Sequence, residues 1–289
     1  MVKVHGPLMS MEARGKIGQR LVFSKRGSGQ QARFQKAQKD VVTSLRTAQR
    51  DYYKDSVLIW NHLSVSEKLF YENLSKGKKY TAYNAFVKRR KLLWSYLNNV
   101  SSVGSIGNTA TLGWMNLGFF SMEFEIINGM TQNVKLPFAN ATGLNNHGFW
   151  FVVTTSNMNF VWAHGTTPQF LITNIFASFV VGRKYKIRVR GDGAKIYYTT
   201  FNEDGTINKT NEPTGLTCPF KPYATTNNPL KVNFPTYLFK GHLRNFKIYR
   251  DFNGTIPFMF LPMCDSGNVL KDVVGGLVGT YTDISVVER

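Results

Sequence analysis

The sequence predicts an α+β chain of two modules: a small N-terminal hairpin with helices, then an all-β sandwich. Three observations predict it. Apolar residues recur at three- and four-residue steps from about Thr43 to Leu97, and from Gly113 onward the period drops to two. Between the two patterns lies "NNVSSVGSIGNT", uncharged and rich in Asn, Ser and Gly, which reads as a linker. Charge divides along the same line. Residues 1–100 carry 20 Lys+Arg against 6 Asp+Glu, a balance of +14, and residues 101–289 carry 16 against 11, a balance of +5. The expected division is therefore a basic, mainly helical module at 1–97, a linker at 98–109 and a sandwich at 110–289.

The elements follow in order. Residues 20–25 read as a short strand, and "KRGSG" is a turn candidate, so a hairpin is expected near the start. A helix opens at Thr43, a good N-cap residue, with Leu45, Ala48, Tyr52, Ile59 and Leu63 on one face. Ser64 and Glu67 have capping-box spacing and begin a second helix, which Gly77 ends. Thr81 caps a third, expected to continue through Leu92, Leu93, Tyr96 and Leu97. Beyond the linker, "FSMEFEII" sets Met122, Phe124 and Ile126 on one face and Glu123 and Glu125 on the other. "GFWFVVTT", "NFVWAHG", "QFLITNI" and "FASFVVG" are expected as short strands. "KYKIRVRGDGAKIYYTTF" is expected as a hairpin around Gly-Asp-Gly, with Lys186, Arg188 and Arg190 on its polar face. "LRNFKIYR" and "PFMFLPM" supply two more strands, and so many short strands argue for a β-sandwich.

Composition excludes several classes. Hydrophobic residues are 43% of the chain, too many for a disordered one. No run approaches the roughly 18 apolar residues of a membrane span, and "MVKVHGPLMS" has no apolar signal core, so neither a membrane partner nor secretion is expected. Cys218 and Cys264 lack metal-type spacing; they read as free buried thiols, with a disulfide as the alternative. No two of the five histidines have ligand spacing, and no glycine-rich segment has the context of a phosphate loop.

The end of the chain resembles the concanavalin A-like, or laminin-G-like, lectin and glucanase sandwich, in the version common among phage and prophage structural proteins. Gly241, Leu243, Phe246, Ile248 and Tyr249 carry that resemblance, followed by Asp265-Ser266-Gly267 and by Asp272 to Gly276, and it covers 110–289. The first module resembles an N-terminal module of phage proteins without a well-described activity, through Trp60, Leu63, Ser64, Glu67, Lys68, Tyr71, Tyr83, Asn84 and Phe86. Together the resemblances imply a concanavalin A-like jelly roll within a virion structural protein, such as a capsid decoration, a head or tail fibre, or an adhesin. It would be made in the host cytoplasm and assembled with other virion proteins (capsid, portal or tail), as a homo-oligomer like other fibres and decorations.

Two surfaces are expected to carry function. The basic module would dock on an acidic virion surface, with Tyr52, Tyr80 and Trp94 as aromatic contacts and Lys88, Arg89, Arg90 and Lys91 as charges. The sandwich would display a cell-surface glycan site, with Asn145, Asn146, His147 and Trp150 as candidates. Two alternatives stand beside this reading. The motif around Trp60 is similar to the middle of a high-mobility-group box, which would make the basic helices a nucleic-acid binder; Trp60, Leu63 and Tyr71 read more simply as the core of a small helical unit. The glucanase branch of the resembled fold works with carboxylates on one strand, so Glu123 and Glu125 could be a hydrolytic pair. Here no acid stands between them and Ile127 occupies the place of a third, so no enzyme is expected. No cofactor is expected either. For calcium, which the fold often carries, the available carboxylates are the scattered Asp192, Asp204, Asp265 and Asp272.

Overall fold

The computed structural model describes residues 15–17, 21–26, 29–34, 43–97, 103–106, 118–129, 137–140, 148–154, 157–163, 168–172, 174–177, 179–212, 214–218, 230–232, 238–255, 257–263, 269–282 and 284–288. The chain forms two compact units, Met1–Thr47 and Ala48–Arg289. In the first, β1 (Gly15–Ile17), β2 (Leu21–Arg26) and β3 (Gly29–Phe34) make an antiparallel sheet in that order. Arg26 pairs with Gly29 at the end of the β2–β3 ladder, so the expected antiparallel hairpin strands are present.

Three helices follow: α1 (Ser44–His62), α2 (Val65–Ser75) and α3 (Ala82–Arg90). Their starts are chemically marked. The Arg46 amide donates to Thr43 Oγ1 at 3.3 Å. Ser64 and Glu67 form a complete capping box, the Ser64 amide donating to Glu67 Oε2 at 2.8 Å. The Asn84 amide donates to Thr81 Oγ1 at 3.3 Å. The third helix stops at Arg90, seven residues before its expected end. Leu93–Leu97 is a strand, β4.

The remaining strands are β5 (Val103–Ile106), β6 (Phe119–Asn128), β7 (Phe138–Asn140), β8 (Gly148–Val153), β9 (Met158–Ala163), β10 (Pro168–Ile172), β11 (Lys184–Asp192) and β12 (Lys195–Phe201). Then come β13 (Ile207–Thr210), β14 (Leu216–Thr217), β15 (Leu230–Val232), β16 (Gly241–Tyr249), β17 (Pro257–Leu261), β18 (Val269–Lys271), β19 (Val278–Thr282) and β20 (Ile284–Glu288). They form two antiparallel sheets. One runs β10-β9-β8-β7-β15-β5-β19-β18; the other runs β13-β12-β11-β6-β16-β4-β20, with β14 beside β12 and β17 beside β16. The fold class is therefore the predicted one, three helices followed by an antiparallel β-sandwich.

The alternation read from the sequence is what closes the sandwich. Met122, Phe124 and Ile126 of β6 and Tyr185, Ile187 and Val189 of β11 point inward and are buried. Aromatic rings interlock across the sheets: Phe120 stacks on Trp162 at 5.4 Å and Phe124 meets Phe151 edge-on at 4.8 Å. "FASFVVG", expected as a strand, is not one in its described part. Phe176 and Phe179 instead stack at 4.7 Å and pack on Tyr185, so the segment plugs the core with side chains and supplies no ladder.

The helices form a layer on the sandwich. Ile59, Leu63, Tyr71, Phe86 and Val87 cluster with Phe260 of β17 and with Val273. Trp60 sits among Tyr71, Tyr83 and Phe86 with ring centroids 5.5–6.1 Å apart. Trp60, Leu63 and Tyr71 thus serve as core, as the simpler reading expects. The division expected at 98–109 falls elsewhere, because helices and sandwich share one unit. Within the segment read as linker, Val103–Ile106 pairs with both β15 and β19, and Ile106 is buried.

Candidate binding cleft

Folding covers four of the seven residues expected to dock. Arg90 is 3% exposed and Trp94 is 2% exposed, so neither is a surface contact. Trp94 lies under the guanidinium of Arg244 at 4.0 Å and near Lys184 at 5.7 Å. Tyr52 is half-buried, its hydroxyl donating to the Val87 carbonyl and its ring lying against Arg90 and Lys91. Arg89 is half-buried on the Phe70 ring at 5.0 Å. Tyr80, Lys88 and Lys91 remain exposed. The helical layer covers Arg90 and part of Tyr52, whereas Trp94 is covered because Leu93–Leu97 is a strand inside the sheet and not the end of a helix.

Of the expected glycan residues, Asn145, Asn146 and His147 lie outside the described residues. Trp150 is in β8 and 3% exposed, so its ring has no open face for a sugar to stack on. The carboxylates considered for calcium are engaged in turns. Asp192 accepts from the amides of Ala194 and Lys195, Asp204 from that of Thr206, and Asp272 from those of Phe260, Val274 and Gly275. Asp265 is outside the described residues, among which no group of three His, Cys, Asp or Glu is placed to hold a metal ion. Cys218 is a free buried thiol whose pKa burial pushes up to about 12, which keeps it unreactive; Cys264 is outside the described residues.

Glu123 and Glu125 point to the outer face of the nine-stranded sheet, where cations surround them. Glu123 is met by Lys186 at 3.0 Å, Arg188 at 3.3 Å and Lys247 at 3.6 Å, and accepts from the Tyr249 hydroxyl at 3.3 Å. Glu125 accepts from Arg244 at 2.8 and 3.1 Å and from Asn245 at 2.8 Å, with Lys184 at 3.1 Å. Burial works to raise both carboxyls, but the neighbouring cations outweigh it. Glu125 falls to about 2, chiefly through Arg244 and Lys184, and the charges of Lys186, Lys247 and Arg188 hold Glu123 lower still. Neither group holds a proton at neutral pH. Burial, with the charges of Glu123 and Asp55, pushes the Tyr249 phenol well up, so Tyr249 remains a neutral donor.

Beside this network lies a cleft of about 220 Å³, between α1 and the outer sheet face. It is smaller than the ~300–1,000 Å³ usual for drug-sized ligands and suits one small ring or a chain end. Asp51, Lys54 and Asp55 of α1 form one wall. Asp55 is tied down by Lys247 at 2.6 Å. The opposite wall is the turn Asp251–Thr255. There the Asp251 carboxylate accepts the Thr255 amide at 2.9 and 3.0 Å and its hydroxyl at 2.8 Å. Leu58, Met259 and Phe260 supply apolar lining. Asp51, Lys54 and Asn253 face the cleft and are exposed, and their side chains make no hydrogen bond or ion pair among the described residues. Three polar groups of different chemistry thus converge on one concavity with their hydrogen-bonding capacity unspent. Sequence reading missed them. The available signals were the i, i+4 acidic pair Asp51 and Asp55 in a basic module, and the turn chemistry of "DFNGT".

No protein-family model and no curated protein matches the chain. Solved structures resemble it in shape. A putative carbohydrate binding protein from Bacteroides ovatus is 10% identical with a TM-score of 0.46, over 68% of this chain and 60% of that one. The full-length tailspike protein 2 of an Escherichia coli O157:H7 bacteriophage is 11% identical with a TM-score of 0.40, over 60% of this chain and 25% of that one. A SAP-like pentraxin from Limulus polyphemus is 10% identical with a TM-score of 0.41, over 69% and 96%. The chain thus spans less than two thirds of the first two. At this distance no function passes from them to it.

Proposed function

We propose that this chain is a non-catalytic binding protein whose helical layer and sandwich together form a saccharide site. The observation that carries the reading is the convergence of Asp51, Lys54 and Asn253, unpaired among the described residues, on a small cleft with an apolar wall. A sugar ring offers hydroxyls that both donate and accept, together with a C–H face, and such a wall complements both. The absence of catalysis is supported by the ionised state of Glu123 and Glu125. Glycoside hydrolysis needs one carboxylic acid that keeps its proton until the bond breaks, and neither group here does.

The test is a glycan array followed by titration calorimetry on the full chain. Binding of an oligosaccharide is expected. The double variant Asp51→Ala, Asn253→Ala should weaken it at least about tenfold while leaving the thermal midpoint in place, since both side chains are exposed. Absence of binding to any glycan overturns the reading, and release of reducing ends by the unmodified protein overturns its non-catalytic part.

The setting we propose is a virion surface, to which the basic first hundred residues attach through an acidic protein partner. Support comes from the +14 balance of that region and from its phage-type resemblance. A protein partner is favoured over nucleic acid because Leu63 and Tyr71 are buried and Trp60 packs with them, so these three residues of the box-like motif are held in the helical core and do not serve as a minor-groove wedge. Mass spectrometry and immunogold labelling of purified particles should find the chain on the exterior. Its recovery only with packaged genome would overturn this setting.

A further inference from the structure

Apolar side chains reach solvent together on the helical layer. Tyr53 and Val57 of α1 are 46% and 47% exposed, and half-buried Trp60 completes an i, i+4, i+7 stripe on one flank of the helix. That flank turns toward α3. The Trp60 ring meets that of Tyr83 at 5.7 Å. Earlier in α1, the Tyr52 hydroxyl donates to the Val87 carbonyl, and the Lys91 ammonium lies 5.3 Å from the Tyr52 ring. The two helices thus lie side by side and antiparallel, with aromatic rings bridging them.

The seam between them has two unlike walls. Across from the stripe, α3 and its C-cap expose Asn84, Lys88 and Lys91, and on α1 the exposed Arg50 stands one turn before Tyr53. The carboxylates of α1 face elsewhere, since Asp51 and Asp55 line the cleft. None of the exposed residues named on this seam is an acid. Isolated apolar residues on a surface need no partner, but an aromatic and aliphatic stripe beside a row of cations marks an interaction face.

We propose that the seam between α1 and α3 is the docking site for an acidic amphipathic segment of another virion protein. Its apolar side chains would lie on Tyr53, Val57 and Trp60, and its carboxylates would meet Arg50, Lys88 and Lys91. The inference rests on attachment through an acidic protein partner, and adds where on the chain it occurs and by what chemistry. Charge selects the occupant. A second copy would set these cations against their own kind, on a chain of net charge +19. The phosphates of a nucleic-acid duplex would satisfy the cations but leave the apolar wall against a charged backbone. From Tyr53 to Trp60 the stripe rises about 10 Å, which matches about two turns of a bound helix.

The test is photo-cross-linking of the full chain in purified particles. The photoreactive residue p-benzoylphenylalanine replaces Val57 in one variant and, for comparison, Ile207 on the edge strand β13 in another; both positions are exposed. Illumination should join position 57 to another virion protein. Mass spectrometry should place the bond in a segment rich in Asp and Glu with apolar residues at three- and four-residue steps, and position 207 should not reach that segment. In parallel, Val57→Glu should lower the copies of the chain retained on particles at least about tenfold, by setting a carboxylate against the incoming acids, and leave the thermal midpoint in place. An adduct with genome, with a second copy, within the same chain, or with a segment that has no excess of acid overturns the partner. No adduct from position 57 on particles that carry the chain, or full retention of Val57→Glu, overturns the face and leaves the virion setting standing. Absence of the chain from the particles overturns the setting, and this inference with it.

Discussion

Arg90→Ala is expected to lower the thermal midpoint by on the order of 10 °C, from a loss of about 3–5 kcal/mol for breaking a buried charged network in a unit of this size. The side chain is a strut between the helical layer and the sheet. Its Nη1 donates to the Tyr52 carbonyl at 3.0 Å and to Ser56 Oγ at 2.8 Å. Its Nη2 donates to Asn245 Oδ1 at 3.0 Å, and Asp55 lies at 3.9 Å. Asn245 takes a positive φ of 56° within the irregular stretch of β16, and its other amide atom holds Glu125. Truncation therefore strands buried groups on α1 and releases a bulge on β16 at once. Arg90→Lys should recover less than half of the loss, because one ammonium cannot reproduce a planar fork bonded at both ends. Lys88→Ala, exposed and two residues away, should shift the midpoint by no more than about 0.5 kcal/mol equivalent. Equal midpoints for Arg90→Ala and Lys88→Ala in calorimetric scans would show that the strut contributes nothing.

Arg90 also shows where sequence stops being informative. In "KRRK" it is one of four consecutive cations, and nothing local separates it from Lys88 or Lys91. Its partners on α1 lie 34 and 38 residues away, and Asn245 lies 155 away. Elements set by local chemistry were legible: the capping box at Ser64, the Thr81 cap, the Gly-Asp-Gly hairpin, and the inward alternation of β6 and β11. Leu93–Leu97 was not, because its apolar spacing suits a helix as well as a strand. Pairing with Gly241–Leu243 on one side and Ile284–Glu288 on the other decides it. The cleft was illegible for the same reason. Its walls come from α1, four strands and a turn that meet only after folding, whereas candidates drawn from one contiguous loop ended on a buried tryptophan.

Acid titration should give the second large effect, and its sign separates the binding reading from the hydrolytic one. Unfolded, Glu123 and Glu125 take up protons near the ordinary 4.5; folded, Glu125 does so only at about 2 and Glu123 below that. Between those values the unfolded chain binds more protons than the folded one, so stability falls as pH falls. Stability should be level with respect to these two groups above about pH 5.5 and decline through 4.5 toward 2, with Glu125 alone accounting for roughly 3 kcal/mol of the change. Glu123→Gln should cost about 3–5 kcal/mol at pH 7, since Lys186, Arg188 and Lys247 then face one another without their shared anion. The same variant should flatten the acid limb, because one of the two titrations that produce it is gone. Urea denaturation at half-unit pH steps measures both effects. A general acid would give the opposite slope: a carboxyl held protonated by burial has a raised folded pKa, its folded state binds the extra proton, and stability drops as pH rises through the ordinary value. An unmodified chain that gained stability between pH 6 and 4, with Glu123→Gln abolishing the gain, would put a proton on Glu123 and restore the hydrolase.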